Sequence, residues 1–318
     1  MLILENHERS AATRGAVVAI GNFDGVHRGH QALIARALAT ARAGTKPAGV
    51  IVFEPHPREF FVPDEPHFRL TLMPEKLRLF RLLGLDFARV LTFDAALSRM
   101  SADEFIARIL VDELAISGAV IGYDFFFGHK RSGTPQTLAA AGAKSGFTVE
   151  IIPPVAELGE VFSSTAARLK LAEGDVTGAD QILGRPWRVT GTVVGGAKRG
   201  SGLGYPTANV PLPKGTALAH GIFAVRVAIG DAQTKMQIGN EWHDGAAYLG
   251  TRPTFDDGMP VLEVFLFDFD GDLYGRTISV EFFAFIRPDR KFADQAALVA
   301  QMDLDVAQAR KVLRDAPG

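Results

Sequence analysis

The hydrophobic period of this chain changes near residue 187, and that change constrains the fold more than any other feature. Before it, short apolar runs alternate with helix-period segments, which is typical of a parallel sheet with crossover helices. The predicted strands are Ala16 to Ile20, Gly49 to Phe53, Ala88 to Phe93, Ala119 to Phe125 and Phe147 to Ile152. The predicted helices are His30 to Ala43, Pro74 to Leu83, Ala102 to Leu114 and Pro135 to Ser145. We therefore expect a Rossmann-like, doubly wound parallel sheet that binds its ligands at the carboxyl ends of its strands.

After Trp187, strand-like segments recur between glycines and prolines, and no long helix appears until the end of the chain. The predicted strands are Arg188 to Val194, Ile222 to Ile229, Ala246 to Gly250, Leu262 to Phe269 and Thr277 to Ile286. We interpret Asp270 to Asp272 as a hairpin turn and Asp294 to Arg314 as a C-terminal helix. This spacing predicts a small antiparallel β-barrel. A glycine and a proline within Gly184 to Pro186 are expected to end the preceding helix, so we predict the domain boundary at this point. The predicted domains are residues 1–184 and 185–318.

The composition of the 318 residues restricts the class of partner. A formal net charge of -2 leaves no general cationic field for a nucleic acid backbone, so nucleic acid is not an expected partner. The chain has no cysteine, which excludes disulfides, thiolate metal sites and cysteine nucleophiles. No stretch reaches the ~18 apolar residues of a membrane span, and the opening segment lacks a secretory core. We expect a soluble, cytoplasmic protein with no membrane partner, and the sequence leaves its oligomeric state open.

A glycine-rich turn, GNFDGVHRGH at residues 21–30, joins the first predicted strand to the first helix. Backbone amides and a helix N-terminus in such a turn form a natural seat for phosphate. His27 and His30 share one face of the first helical turn, where imidazoles can donate hydrogen bonds to a phosphoryl group in the transition state. A lone His-x-x-His also fits polar residues at a helix start. The strand, the glycine turn and the helix together favour the phosphate site.

A second polar segment lies at residues 161–175. Ser163, Ser164 and Thr165 place hydroxyls before a helical stretch, and Arg168 follows one turn later. Such an arrangement can bind a leaving pyrophosphate. Taken alone, the segment is explained more simply by an ordinary helix cap followed by a solvated arginine.

The second half carries a glycine-rich segment, GGAKRGSGLGYPTANV at residues 195–210. Its amides can approach phosphates closely, and Thr207 and Asn209 offer neutral oxygens to a hard cation such as Mg²⁺. A flexible barrel loop is the alternative interpretation.

Glu263 interrupts an apolar strand in the same half. Strand alternation places it on the face of Val261, Phe265 and Phe267, where a buried carboxylate would be suited to act as a base. A water-facing glutamate on an edge strand is the alternative.

These motifs together resemble one known family. The first half contains GNFDGVHRGH, FEPHPREFF (Phe53 to Phe61), GYDFFFGHKRSG (Gly122 to Gly133) and FSSTAAR (Phe162 to Arg168), in that order. The second half contains GRPW, GYPTANV, GIFAV, RPTF, LEVFLFDFDGDLYG and FIRPDRKF. Over its whole length the chain resembles the bacterial bifunctional riboflavin kinase/FMN adenylyltransferase (FAD synthetase) family. The resemblance implies an ATP-dependent transferase that makes FMN from riboflavin in the barrel and FAD from FMN in the first domain.

The resemblance also implies roles for individual residues. The implied catalytic residues are His27, His30, Arg168 and Glu263, with Glu263 as the base. The implied ATP contacts are Gly21, Asn22, Phe23, Gly29, Ser163, Ser164, Thr165, Gly196, Gly200, Gly204 and Pro206. The implied flavin contacts are Pro55, His56, Asp124 and Arg287, and Mg²⁺ bound with ATP is implied at Thr207 and Asn209.

The two implied reactions make opposite demands on a protein. FMN already carries an anionic phosphate oxygen, so its adenylylation needs positioning and charge neutralisation rather than a base. A ribityl hydroxyl must lose a proton when it is phosphorylated, and Glu263 is the carboxylate expected to accept it.

Some positions depart from the family pattern. They are Phe126, Ala166 and Ala167 in the first half, and Ser201, Gly202, Tyr248, Phe265 and Asp289 in the second. One alternative therefore keeps the adenylyltransferase and makes the barrel a weak or inactive flavin-binding module. Two others are a non-catalytic flavin or nucleotide carrier, and an adenylyltransferase for a different phosphorylated acceptor.

Overall fold

Residues 1–157, 159–195, 205–230, 238–250 and 260–316 are described in a computed structural model. The chain divides into two units. The first consists of Met1–Pro66 and Leu72–Ser163, and the second of His67–Thr71 and Ser164–Gly318. The domain limits of residues 1–184 and 185–318 remain a prediction.

Six parallel strands, rich in small and β-branched residues, form the centre of the first unit. They are β1 (Leu2–Glu5), β2 (Val17–Ile20), β3 (Ala48–Glu54), β4 (Phe87–Thr92), β5 (Gly118–Gly122) and β6 (Thr148–Ile152). Their order in the sheet is β1-β4-β3-β2-β5-β6. The order reverses at β2, which pairs with β3 on one side and β5 on the other. The predicted doubly wound sheet is therefore confirmed, and β2 marks its topological switch point.

Helices cover both faces of this sheet and enclose two apolar layers. The α-helices of this unit are α1 (Arg28–Ala43), α2 (Pro57–Phe61), α3 (Met73–Leu82), α4 (Ala95–Arg99), α5 (Ala102–Glu104) and α6 (Pro135–Ser145), and a π-helix (Phe105–Glu113) continues α5. Ser101 and Glu104 form a capping box at α5, and Thr134 caps α6 with Pro135 in its first turn. A small hairpin of β7 (Ala156–Glu157) and β8 (Glu160–Val161) follows the sheet.

An antiparallel barrel forms the second unit. Its strands are β9 (Arg188–Thr192), β10 (Ala208–Pro211), β11 (Gly221–Gly230), β12 (Ile238–Leu249), β13 (Val261–Leu266) and β14 (Thr277–Pro288). Their order is β10-β13-β12-β11-β14-β9, and the Val194 amide donates to the Asn209 carbonyl at 2.9 Å, which joins the two ends. Alternate residues such as Phe223, Val264 and Phe282 fill the interior. The predicted barrel is therefore confirmed.

Three helices complete the described part of the second unit. They are α7 (Ser164–Glu173), α8 (Val176–Leu183) and α9 (Gln295–Asp315). α8 ends at Gly184, whose φ of 73° lies in the left-handed region that favours glycine at this position. α9 packs its apolar face on the outside of the barrel, and a shared cluster includes Ala224, Phe267 and Leu313. The predicted C-terminal helix is confirmed.

Some local features differ from the sequence-based expectations, among them two short strands and a predicted hairpin. β1 and β10 were not predicted, because each has only four residues and no clear alternation. The hairpin predicted at Asp270 to Asp272 is wrong. β13 pairs with β10 and β12, whereas β14 pairs with β9 and β11, so the connection crosses between separate parts of the sheet. A turn signal reports that the chain reverses, but it does not specify which strands pair.

Candidate active sites

The turn between β2 and α1 lies at the switch point of the parallel sheet. It contains one short 3₁₀ turn, and three of its residues have positive φ: 83° at Gly25, 49° at Phe23 and 42° at Val26. Phe23 is fully buried and its ring packs edge-on to Phe80. Side chains with a Cβ rarely adopt this conformation, and least of all β-branched ones, so the surrounding contacts must hold the turn. The predicted ATP contacts Gly21, Asn22 and Phe23 form its first half.

His27 and His30 stack at the start of α1. Their ring centroids are 3.6 Å apart and the ring planes differ by 25°. His27 is buried and caps the helix, because its Nδ1 accepts the backbone N–H of His30 at 3.3 Å. A neutral His27 therefore carries its proton on Nε2. The Nδ1 of His30 is buried without a hydrogen-bond partner among the described residues.

The electrostatic environment keeps His30 neutral near pH 7. Burial lowers the pKa of His30 well below its ordinary value, and the nearby His27 and Lys76 lower this pKa further. A neutral imidazole can still donate one hydrogen bond. The two imidazoles are therefore suited to donate hydrogen bonds to an anion rather than to carry a fixed positive charge.

Because Gly29 has no side chain, the backbone of Phe162 can lie close to the start of α1, beside the two histidines. A Cβ at Gly29 would lie 3.0 Å from the His27 ring and 3.3 Å from the backbone oxygen of Phe162. The Arg28 guanidinium also lies over the Phe162 ring, 4.4 Å from its centroid. Within the first unit, the fold thus brings the start of the FSSTAAR segment to the N-terminus of α1, and Ser163 is the next residue along the chain.

The rest of that segment belongs to the second unit. Ser164 and Thr165 open α7. Arg168 donates from Nε to the Phe68 carbonyl at 2.6 Å, and its Nη2 lies 3.2 Å from Nε2 of His67. These contacts fix the guanidinium against the residue 67–71 segment. The predicted phosphate-binding roles of Ser163, Ser164, Thr165 and Arg168 remain predictions.

The predicted flavin contacts of the first unit follow the two strands that flank β2. Pro55, at a cis peptide bond, and His56 follow β3, and His56 caps α2 in a capping box with Glu59. Asp124 follows β5 and is exposed. Because parallel strands end at one edge of the sheet, the loops after β2, β3 and β5 share that edge.

An aromatic cluster that the sequence analysis did not assign adjoins the loop after β3. The rings of Phe60, Phe61 and Phe93 contact one another pairwise at centroid distances of 5.3 to 5.6 Å. Phe61 remains 63% exposed. Exposed rings of this kind can stack on a planar ligand. The adjacent phenylalanines in FEPHPREFF could have indicated this cluster in the sequence.

Lys76 also contacts the turn between β2 and α1, and sequence reasoning missed it. It lies in α3, is fully buried, and donates from Nζ to the Asn22 carbonyl at 2.8 Å. A signal was present, because Lys76 occupies the apolar stripe of α3 between Met73 and Phe80, where a charged residue is unusual.

The barrel brings Asn209 and Glu263 together on its outer face. Asn209 in β10 pairs with Glu263 in β13, and Glu263 pairs on its other side with Tyr248 in β12. Directly paired residues share one face of a sheet. Asn209 is buried, Glu263 is half-buried, and Leu262 and Val264 point into the interior. β13 lies between two strands, so the edge-strand alternative for Glu263 is wrong.

Two predicted site residues lie directly before β10. Pro206 and the half-buried Thr207 precede β10 directly. The other predicted ATP contacts of the glycine-rich segment, Gly196, Gly200 and Gly204, lie outside the described residues, as do Ser201, Gly202 and the RPTF block.

Arg287 is tied to α9. Its Nε and Nη2 donate to the buried Asp305 at 2.7 to 3.1 Å, and its Nη1 donates to the Pro288 carbonyl at 3.0 Å. Gln301 also donates to Asp305 at 2.7 Å. A bidentate arginine–carboxylate pair of this kind orients the side chain strongly. The flavin contact expected of Arg287 remains a prediction.

Two tyrosines line the same region of the barrel. The Tyr248 hydroxyl donates to Asp289 at 3.1 Å. Tyr205 donates to Asp303 of α9, and its ring packs edge-on to Phe265 at 5.1 Å. Burial, followed by the interaction with Asp303, raises the pKa of Tyr205 to about 12. The Tyr205 hydroxyl therefore remains a protonated donor near neutral pH.

In the part of the chain that the structure describes, no three His, Cys, Asp or Glu residues are placed to hold a metal ion. Among the same residues, no helix is long and apolar enough to cross a membrane.

Comparison with known proteins assigns the two halves to two families. Residues 9–166 match the FAD synthetase family, and residues 183–313 match the riboflavin kinase family. The chain is 42% identical over 305 residues to a bifunctional riboflavin kinase/FMN adenylyltransferase of Pseudomonas fluorescens, covering 96% of this chain and 95% of the relative. It is 38% identical over 311 residues to the protein of the same name from Escherichia coli K12, covering 98% and 97%.

A solved structure matches the whole fold. A protein of Streptococcus pneumoniae, described as a macrolide-efflux protein, superposes with a TM-score of 0.82 at 29% identity, covering 98% of this chain and 99% of the other. That description applies to the Streptococcus protein. From the two matched halves and the full-length relatives, the chain belongs to the bacterial bifunctional riboflavin kinase/FMN adenylyltransferase family.

Proposed function

We propose that this chain makes FAD from riboflavin in two ATP-dependent steps. In the barrel, the riboflavin hydroxyl attacks the γ-phosphorus of ATP and ADP leaves, giving FMN. In the parallel-sheet unit, an FMN phosphate oxygen attacks the α-phosphorus of a second ATP and pyrophosphate leaves, giving FAD. The observation that carries the proposal is the stacked pair of His27 and His30 at the switch point of the sheet.

The geometry of the first unit suits adenylyl transfer. The nucleophile is already anionic, so the site must align two anions and stabilise the charge that develops on the α-phosphate. His27 and His30 supply donors at the N-terminus of α1, where the helix dipole also favours an anion. The loops after β3 and β5, with the exposed Phe61, supply a surface for the flavin ring.

The geometry of the barrel suits phosphorylation of an alcohol. Glu263 would accept the hydroxyl proton as the oxygen–phosphorus bond forms. The oxygens of Thr207 and Asn209 are hard ligands, so Thr207 and Asn209 fit a role in holding Mg²⁺. Asn209 also lies opposite Glu263, which would place the metal ion near the base. When bound, Mg²⁺ neutralises charge on the ATP phosphates.

The cellular location and the excluded class of partner are proposed from the sequence. We propose that the chain acts in the cytoplasm, because it has no cysteine, and that nucleic acid is not a partner, because its formal net charge is -2.

Product analysis tests the proposal. The purified chain is incubated with Mg-ATP and either riboflavin or FMN, and the flavins are separated by chromatography. Riboflavin should yield FMN and then FAD, and supplied FMN should yield FAD. No ATP consumption with either flavin would favour a non-catalytic carrier, and FAD formation from neither would refute adenylylation of FMN.

A second candidate keeps adenylylation but makes the barrel a flavin-binding module with weak turnover. The contacts of Arg287 with Asp305 and of Tyr248 with Asp289 favour it, because both residues are already engaged within the barrel unit. In the same assay this candidate gives FAD from supplied FMN but little FMN from riboflavin.

A further inference from the structure

Lys76 places a charge in the interior of the first unit. Its side chain is fully buried beside Leu77 and Phe80 of α3, which belong to the apolar layer of that sheet face. Removing an ammonium group from water is strongly unfavourable unless partners stabilise it. One such partner is the Asn22 carbonyl, which accepts from Nζ at 2.8 Å. A buried charge with a specific backbone partner indicates a role beyond packing.

That partner lies at the start of the turn that leads to the histidines. Immediately after Asn22, Phe23 has φ 49°, and Val26, just before His27, has φ 42°. Residues with bulky or β-branched side chains hold such conformations only where the surroundings fix them. A hydrogen bond to the Asn22 carbonyl anchors the turn directly before its first residue of positive φ. Lys76 is therefore placed to control where His27 and His30 point.

The charge of Lys76 also reaches the imidazole pair. After burial and His27, Lys76 is the third cause that lowers the pKa of His30. A positive field at this position favours a bound polyphosphate as well as a neutral His30. The geometric and the electrostatic effects act on the same turn.

We infer that Lys76 is a positioning residue for adenylyl transfer, whose ammonium group fixes the Asn22 carbonyl and so holds the residue 21–27 turn that presents His27 and His30 to ATP. The inference rests on the proposed adenylylation at this turn. Lys76 acts through the turn and contributes no proton to the reaction.

The test uses the full chain carrying Lys76→Met, which keeps the length of the side chain and removes its charge and donors. With saturating FMN and Mg-ATP, kcat for FAD formation should fall about 100-fold, because small displacements of catalytic groups are costly. KM for FMN should change by less than about 3-fold, since the flavin surface is untouched. Lys76→Arg restores a charged donor and should recover at least about 10-fold of the lost kcat.

Two controls separate positioning from a general loss of structure. Leu79→Ala removes a buried apolar side chain from the same helix, and it should lower the melting temperature while kcat for FAD formation stays near the wild-type value. The far-ultraviolet circular dichroism spectrum and the melting temperature of each preparation report whether the sheet unit has folded, and riboflavin phosphorylation reports whether the barrel has. If Lys76→Met does not fold, Lys76→Leu serves as the neutral variant, and the same fold-changes in kcat and KM are expected of it.

The outcomes are distinct. A folded neutral variant with kcat within about 3-fold of wild type overturns the role of Lys76, as does an equal loss in Leu79→Ala. A wild-type chain that forms no FAD from FMN removes the proposed function instead.

Discussion

The two candidate sites are built in different ways, although both are expected to bind ATP. In the parallel-sheet unit, His27 and His30 are neighbours in sequence and are held by a turn with three positive φ angles. In the barrel, Asn209 and Glu263 are far apart in sequence and meet only through strand register. The first site depends on local backbone conformation, and the second depends on correct pairing of the sheet. A contiguous motif can therefore indicate the first candidate site, whereas the second can be recognised only from the strand pairing.

The largest expected effect comes from removing His30. His30→Ala should lower FAD formation from FMN by about 1000-fold, because a donor to the developing phosphoryl charge is lost. Riboflavin phosphorylation should be unchanged, since the barrel does not depend on the turn. Chromatography of both reactions on one preparation measures this. Equal loss of both activities would show that the two sites are not separate.

The matching change in the barrel is Glu263→Gln, which keeps the shape of the side chain and removes the base. FMN formation should fall by about 100- to 10,000-fold, the usual range for loss of a general base. FAD formation from supplied FMN should persist. Kinase activity that survives this substitution would show that another group accepts the hydroxyl proton.

A smaller effect concerns Asp180 of α8, where burial raises the pKa to about 8. Its carboxyl accepts the Trp187 amide at 3.0 Å and is protonated in the folded chain at neutral pH. The contribution of Asp180 to the free energy of unfolding is fully present below about pH 4, the pKa of an aspartate in the unfolded chain. This contribution is lost as the pH rises toward 8. Asp180→Asn should therefore raise the free energy of unfolding at pH 8 by at least about 1 kcal/mol, allowing for partial exposure, with little gain at pH 4.

Asp175 at the start of α8 provides a control of opposite sign. A hydrogen bond from Lys170 lowers the pKa of Asp175, so its ionised form contributes stability above the unfolded pKa that is lost as pH falls. Urea unfolding of Asp175→Asn should show lower stability at pH 7 and little change at pH 3. The same sign for both variants would contradict the assignment of their pKa shifts.

The smallest expected effect is that of Tyr248→Phe. It removes the hydroxyl that donates to Asp289 and should lower the free energy of unfolding by about 0.5 to 1.5 kcal/mol, the net value of one hydrogen bond. If Tyr248 also limits turnover in the barrel, kcat for FMN formation will rise. An unchanged kcat with lowered stability would confine this residue to a structural role.

Much of the first site could be predicted from the sequence because its signals are local. The strand, the glycine turn, His27 and His30 follow one another within a few residues. Lys76 was missed because its bond to Asn22 depends on how α3 packs against the sheet, although its place on an apolar stripe was a visible clue. The closeness of Phe162 to Gly29 likewise requires the tertiary fold.

The barrel was less predictable, because antiparallel register is not encoded in any single segment. Glu263 stood out as a charge within an apolar strand, yet its neighbours Asn209 and Tyr248 follow from the order β10-β13-β12. The hairpin expected at Asp270 to Asp272 failed for the same reason. The contact of Arg287 with Asp305 depends on how α9 packs on the barrel.

The most direct test of two separate sites in one chain is complementation between the two inactive variants. His30→Ala and Glu263→Gln are assayed alone and as an equal mixture, with riboflavin and Mg-ATP as the only substrates. Each variant alone should form FAD at no more than about 1% of the wild-type rate, whereas the mixture should form it much faster, because FMN made by the first variant reaches the intact sheet site of the second. If the mixture forms no FAD while the wild-type chain does, the account of two independent sites is contradicted.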